Sequence, residues 1–126
     1  MIQKWLTLKG DQGKVLLNIS PDKLSAMNRN QLGELYEKIS IRILRELNFS
    51  NITRVNTFYD IEAEKQRDKY CIEVKGKMSN DVPYIATQLN KLWKLAETTK
   101  VYWMFIELEK IRNKIYAKYS FEPFKV

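Results

Sequence analysis

The chain has 126 residues, 44% of them hydrophobic and 29% charged, the composition of one ordinary globular domain and not of a disordered segment. Twenty-two Lys and Arg against fifteen Asp and Glu give a formal net charge of +7, with no histidine and one cysteine, Cys71. Those counts exclude Ser-His-Asp and Cys-His catalysis, histidine-ligated zinc, an intrachain disulfide and a cysteine-rich metal site.

The elements follow in chain order. Residues 2–20 predict a β-hairpin, with Ile2, Trp5, Leu6 and Leu8 before a Gly10-Asp11-Gln12-Gly13 turn and Val15, Leu16, Leu17 and Ile19 after it. Ser20-Pro21-Asp22 starts a short helix. Asn28 or Asn30 caps a longer one running to Leu47, with a stripe of Leu32, Leu35, Tyr36, Ile39, Ile43 and Leu47. Glu37 lies at the edge of that stripe, and Glu34 points nearly opposite. Residues 52–61 read as a strand, 62–69 as a charged turn and 70–77 as a second strand. In that second strand Tyr70, Ile72 and Val74 face one side and Cys71, Glu73 and Lys75 the other. A loop over 77–83 leads to a helix over 84–98, with Ile85, Leu89, Leu92, Trp93 and Ala96 on one face. Residues 101–108 are apolar on both faces, as in an interior strand covered by helices. A turn over 109–114 and a strand over 115–121 close the chain. The order predicts an α/β fold, a mixed sheet flanked by helices.

The surplus of positive charge points to a polyanionic partner, nucleic acid before an anionic membrane surface; greater solubility is the plain alternative. The N-terminal stretch MIQKWLTLKGDQGK is broken by charge and glycine, and the longest apolar run, 101–106, is far short of the roughly 20 residues of a spanning helix. The expectation is a soluble, cytoplasmic protein that uses no membrane.

The chemistry concentrates between Asp60 and Lys75. A strand filled with Ile, Val and Tyr spends two same-face positions on Glu73 and Lys75, and Asp60 ends the strand before it. Charges so placed must be paired, hydrogen-bonded or bound to metal. Two carboxylates joined by a hairpin make a hard, oxygen-rich site suited to Mg²⁺ or Mn²⁺. A nearby Lys can orient a water or stabilise developing charge, which together would support hydrolysis of a phosphodiester. The alternative is a cross-strand ion pair between Glu73 and Lys75 on a solvated sheet face.

The run from Gly33 to Leu108 resembles the PD-(D/E)xK, or restriction-endonuclease-like, nuclease superfamily. Gly33 followed four residues later by Glu37 looks like the family's helix signature, Asp60 matches the motif's Asp, and Glu73 and Lys75 match its (D/E) and K. Gln88-Leu89-Asn90-Lys91-Leu92 and the apolar run after it resemble the Q-x-x-K-L helix and strand of archaeal Holliday-junction resolvases. The resemblance implies a restriction-endonuclease-like mixed sheet with an αβββαβ core over 29–108, an N-terminal hairpin extension over 1–28 and a C-terminal strand region over 109–126, all in one domain. It implies a metal-dependent DNA endonuclease acting on branched or structured DNA. Asp60 and Glu73 would hold Mg²⁺ or Mn²⁺ with the Val74 carbonyl, Lys75 would act on the attacking water, and Glu37 would help bind metal. Gln88 would contact the site or the phosphate backbone. Tyr59 stands where the motif has Pro, and the resolvases' Ser has no clear match, Thr57 being the nearest hydroxyl.

Other features have two readings each. Lys77, Lys91, Lys94, Lys114 and Lys118 suit a phosphate-binding rim, or are simply solvated. Trp5, Trp93 and Trp103, with Tyr84, Tyr102, Tyr116 and Tyr119, suit base stacking, but Trp93 and Trp103 sit on core-pattern positions. Cys71 reads as a small buried residue. Competing with the nuclease are a non-catalytic nucleic-acid-binding or assembly protein on the same fold and a membrane-surface or protein-interaction module. A homodimer is expected, with the N-terminal hairpin and the last strand as interface candidates.

Overall fold

Asn28 opens the long helix as its side chain suggests: it accepts from the Gln31 backbone N–H at 2.9 Å, and Gln31 Oε1 accepts the Asn28 N–H, a complete capping box. The computed structural model describes residues 2–6, 11–55, 57–76 and 86–124. Its helices are α1 (Pro21–Ser25), α2 (Arg29–Glu46) and α3 (Ala86–Leu95). Its strands are β1 (Ile2–Leu6), β2 (Asp11–Leu17), β3 (Ser50–Arg54), β4 (Ile61–Lys65), β5 (Asp68–Gly76), β6 (Lys100–Ile111) and β7 (Lys114–Pro123). Among the described residues they form one seven-stranded sheet in the order β1-β2-β7-β6-β5-β4-β3. Only the β5–β6 pair is parallel, and its strands are joined through α3 as parallel neighbours require. The architecture is the mixed α/β sheet flanked by helices that the sequence predicts, with the αβββαβ order running from α2 to β6.

The two sheet faces bury different clusters. Tyr36, Ile39, Ile43 and Leu44 of α2 pack on Ile61, Ile72, Met104, Ile106, Ile115 and Tyr119. Fully burying an aliphatic side chain of this size is worth about 1.5–3 kcal/mol, so this layer carries the fold. On the other face Leu92 of α3 covers Tyr59, Cys71 and Val101. Alternation along β5 explains the division, since even-numbered residues point to α2 and odd-numbered ones to α3.

Several boundaries differ from the sequence reading. The 52–61 run is not one strand. β3 ends at Arg54 and pairs with β4, and 57–60 bend so that Asp60 precedes β4. The charged run over 62–65 belongs to β4, because Ile61 and Ala63 alternate inward while Glu64 is exposed. The hairpin turn is only Gln66-Arg67, both at positive φ (53° and 71°), with Lys65 paired to Asp68. β6 and β7 likewise meet at Arg112-Asn113 (φ 48° and 67°), so 109–111 and 114 are strand. Two-residue turns of this hand match the strand twist, and here they form without glycine. At the N-terminus the hairpin is present, but Asp11, Gln12 and Gly13 lie in β2, opposite Leu6, Trp5 and Lys4.

Two further expectations change. The last strand has no free edge, because β7 pairs with β6 on one side and β2 on the other; the outer strands are β1 and β3. Trp93 is 53% exposed and not part of the core face: Leu92 takes the buried position on α3, which turns its neighbour to the flank. No described helix is long and apolar enough to cross a membrane.

Candidate active site

The Asp60 backbone extends the β4–β5 ladder by donating its N–H to the Ile72 carbonyl at 3.0 Å. Its side chain then reaches back across the hairpin, where Oδ2 accepts the Val74 N–H at 2.8 Å. The carboxylate is thereby fixed beside Glu73, which leaves β5 on the α3 face. The bend that precedes it is held by Val55 N–H to the Asp60 carbonyl, 2.9 Å, and by Thr57 Oγ1 bonded to the Tyr59 backbone.

Glu73 is 5% exposed, and Glu73 and Ser40 are the buried polar side chains of the described core. Gln88 of α3 anchors it: Nε2 donates to Glu73 Oε2 at 3.0 Å and to the Phe58 carbonyl at 3.0 Å. One amide thus ties the helix to both the acidic strand and the loop that delivers Asp60. Burial, first, and then the hydrogen bond and repulsion from Asp60 push the Glu73 carboxyl up to about 9; Lys75 and Gln88 oppose that rise. Without a cation the pair therefore holds a proton near neutral pH. Lys75 lies two residues on, on the same face and half-buried.

Glu37 stands apart from this pair. It is on α2, the helix of the opposite face, and its Oε1 accepts from Arg54 Nε at 2.9 Å. Arg54 Nη1 also binds Glu34 at 3.0 Å, so one guanidinium spans both carboxylates. Among the described residues no group of three Asp, Glu or Cys side chains converges to hold a metal. The pair alone supplies two hard oxygen donors, and its retained proton marks a place where positive charge is favoured.

Of the remaining candidates, Lys91 lies 5.8 Å from the centre of the Phe58 ring and Lys94 is exposed. Lys77, Tyr84 and the Trp5 side chain lie outside the described residues. Tyr119 is buried, and Tyr102 stacks on Phe121, so both serve packing. Cys71 is buried with its thiol pushed up by that burial. Tyr59 is buried beside it and donates its hydroxyl to Glu62. The sequence reading did not assign Phe58, whose carbonyl Gln88 uses, or Arg54; a backbone acceptor has no signal in sequence.

No family model matches the chain, and no curated protein matches it. Among solved structures it is similar to Archaeoglobus fulgidus Hjc, a Holliday junction resolvase from an archaeal hyperthermophile. The identity is 22%, the TM-score is 0.48, and the match covers 67% of this chain and 81% of that one.

Proposed function

We propose that the chain is a divalent-metal-dependent endonuclease that hydrolyses phosphodiester bonds of branched or structured DNA. The observation that carries this reading is the buried pairing of Glu73 with Asp60, braced by the Val74 amide and by Gln88. A strand position that would be filled cheaply by an aliphatic residue holds instead a carboxylic acid facing another.

In this reading Asp60 and Glu73 would hold Mg²⁺ or Mn²⁺, assisted by the Val74 carbonyl. The bound ion supplies Lewis-acid polarisation of the phosphoryl group and a lowered pKa for water. The Val74 N–H keeps the Asp60 carboxylate oriented, and Gln88 keeps Glu73 in its rotamer, so a cation would meet two carboxylates already positioned. Lys75 places its ammonium on the same strand face, where it orients the attacking water and offsets charge developing on phosphate. Lys77, Lys91 and Lys94 bind the DNA backbone. Cutting both strands requires two such sites, which a homodimer supplies.

Nicking of plasmid and junction DNA with Mg²⁺ or Mn²⁺ tests the reading. Wild type is expected to cut, and Asp60→Ala and Glu73→Ala to lose at least about 100-fold in rate. Equal cutting by all three removes the site assignment.

A second reading is a non-catalytic DNA-binding protein. It is favoured by the engagement of Glu37 with Arg54, which leaves two carboxylates together and not three. Salt-dependent DNA binding without metal-stimulated cleavage would select it.

A further inference from the structure

A continuous strip of aromatic rings runs from α3 to the strand beside the acidic pair. Trp93 on α3 lies edge-on to Phe124, with ring centres 5.8 Å apart. Phe124 lies 5.2 Å from Trp103 of β6, and Trp103 stacks on Phe105 at 5.5 Å with planes 19° apart. The Phe124 N–H donates to the Val101 carbonyl at 2.8 Å, which pins the C-terminal end of the strip to β6. The parallel register then sets its position: Trp103 is opposite Glu73 and Phe105 opposite Lys75. Paired residues of a parallel ladder leave the same face, so the Trp103–Phe105 stack flanks the two site residues directly.

The strip is open where packing would have closed it. Trp93 is 53% exposed and Phe105 39% exposed, although both are large apolar side chains. Helix α3 covers Val101 through Leu92 but leaves Phe105 uncovered. α3 carries two exposed cations, Lys94 next to Trp93 and Lys91 on the side of the Phe58 ring, 5.8 Å from its centre. On the opposite side the β7 residues of the same face are Glu122 beside Trp103, Ser120 beside Phe105 and Lys118 beside Glu107. The charged residues of α3 are both cations, Lys91 and Lys94, whereas the β7 border mixes Glu122 with Lys118, so a polyanionic backbone is favoured along α3 with its bases turned toward the rings.

We propose that this strip is a stacking platform for unpaired bases of the nucleic acid at the site. Exposed aromatic rings, the cations of α3 and direct continuity with Glu73 and Lys75 favour a single strand over an apolar protein segment. Base-paired DNA keeps its π-faces inside the duplex, so the platform discriminates for unpaired nucleotides. This deepens the nuclease reading by naming the feature of the substrate that is recognised, and it needs only that the chain binds nucleic acid.

The test is fluorescence anisotropy with a labelled oligo-dT strand and a labelled perfect duplex of equal length, in EDTA so that no metal is required. Wild type is compared with Trp93→Leu, Phe105→Leu, the double variant and Phe105→Tyr, with thermal melts confirming folding. The double variant is expected to lose about tenfold or more in affinity for the single strand and less than about twofold for the duplex. Phe105→Tyr, which keeps a flat ring, is expected to bind like wild type; it and the single variants carry the test if the double variant does not fold. Wild-type affinity in every leucine variant that folds, or equal loss on both ligands, overturns the proposal. So does a change confined to light-scattering mass, which assigns the strip to a second copy of the chain. Failure of the nuclease reading is separate: wild type would then prefer the single strand in an aromatic-dependent way yet cut nothing with Mg²⁺ or Mn²⁺.

Discussion

A carboxylic acid as buried as Glu73 must be neutral, paired or bound to a cation. Burial and Asp60 together raise its pKa in the folded chain from an ordinary 4.5 to about 9. The sign of the linkage follows. The metal-free folded state holds a proton that the unfolded state has released, so this contribution to stability is fully present below the unfolded pKa and is lost as pH rises toward the folded one. The melting temperature of the metal-free protein is expected to fall between about pH 5 and pH 9, and Glu73→Gln, which mimics the protonated acid, to flatten that slope. Divalent cations compete for the same oxygens, so their affinity is expected to rise over the same window, with about one proton released per ion near neutral pH. Calorimetry of Mg²⁺ or Mn²⁺ binding in two buffers of different ionisation enthalpy measures that proton. A pH-independent affinity and no release would mean that Glu73 does not receive the ion.

At the scale of elements, two glycines have opposite consequences. A Cβ on Gly76 would lie 2.0 Å from the Tyr36 ring, the contact by which α2 seats on β5 next to Lys75. Gly76→Ala is expected to cost at least about 2 kcal/mol, read as a drop in urea midpoint with unchanged slope. Gly33, in the interior of α2, has open space where a Cβ would go. Gly33→Ala is therefore expected to gain about 0.5–1 kcal/mol in the same assay. The two tight turns provide another check. Arg67 sits at φ 71° without a glycine's freedom, so Arg67→Gly is expected to stabilise the β4–β5 hairpin by about 1 kcal/mol. The same features explain what was legible in the sequence. The stripe of α2 and the alternation of β5 are periodic, and they gave the helix, the strand and the faces of Glu73 and Lys75. The turns at 66–67 and 112–113 use Gln, Arg and Asn where glycine is the usual signal, so in sequence their charged flanks look like loop. Residue type singles out Asp60 as a candidate, but its bend and its grip on the Val74 amide depend on contacts across the hairpin, and the pairing of Glu37 with Arg54 spans 17 residues. Trp93 carries the apolar signal of a core residue, yet Leu92 takes the buried position of α3 and leaves Trp93 at the flank against Phe124.

For the whole molecule the charge of +7 is a question of placement. Part of the acidic surface is matched by cations, with Glu34 and Glu37 on Arg54, Glu62 on Lys69, Asp68 on Lys100 and Glu109 on Lys14. Such exposed pairs add little stability, but they locally cancel the field. The exposed lysines of α3 are different: they lie along the helix that holds Glu73 and borders the aromatic strip. If Lys77, Lys91 and Lys94 each neutralise one phosphate, the logarithm of duplex affinity falls against the logarithm of salt concentration with a slope of about −2.7, roughly a 40-fold loss between about 50 and 200 mM. Replacing both Lys91 and Lys94 by Ala is expected to flatten that slope by about 1.8 while leaving the preference for a single strand over a duplex unchanged. Trp93→Leu with Phe105→Leu is expected to do the reverse, reducing the preference and leaving the slope. Stacking is indifferent to counterions, whereas phosphate contacts are indifferent to base pairing, so titrations at several salt concentrations separate them. A slope near zero for wild type would place the charge outside the binding face and return the surplus of lysine to a role in solubility.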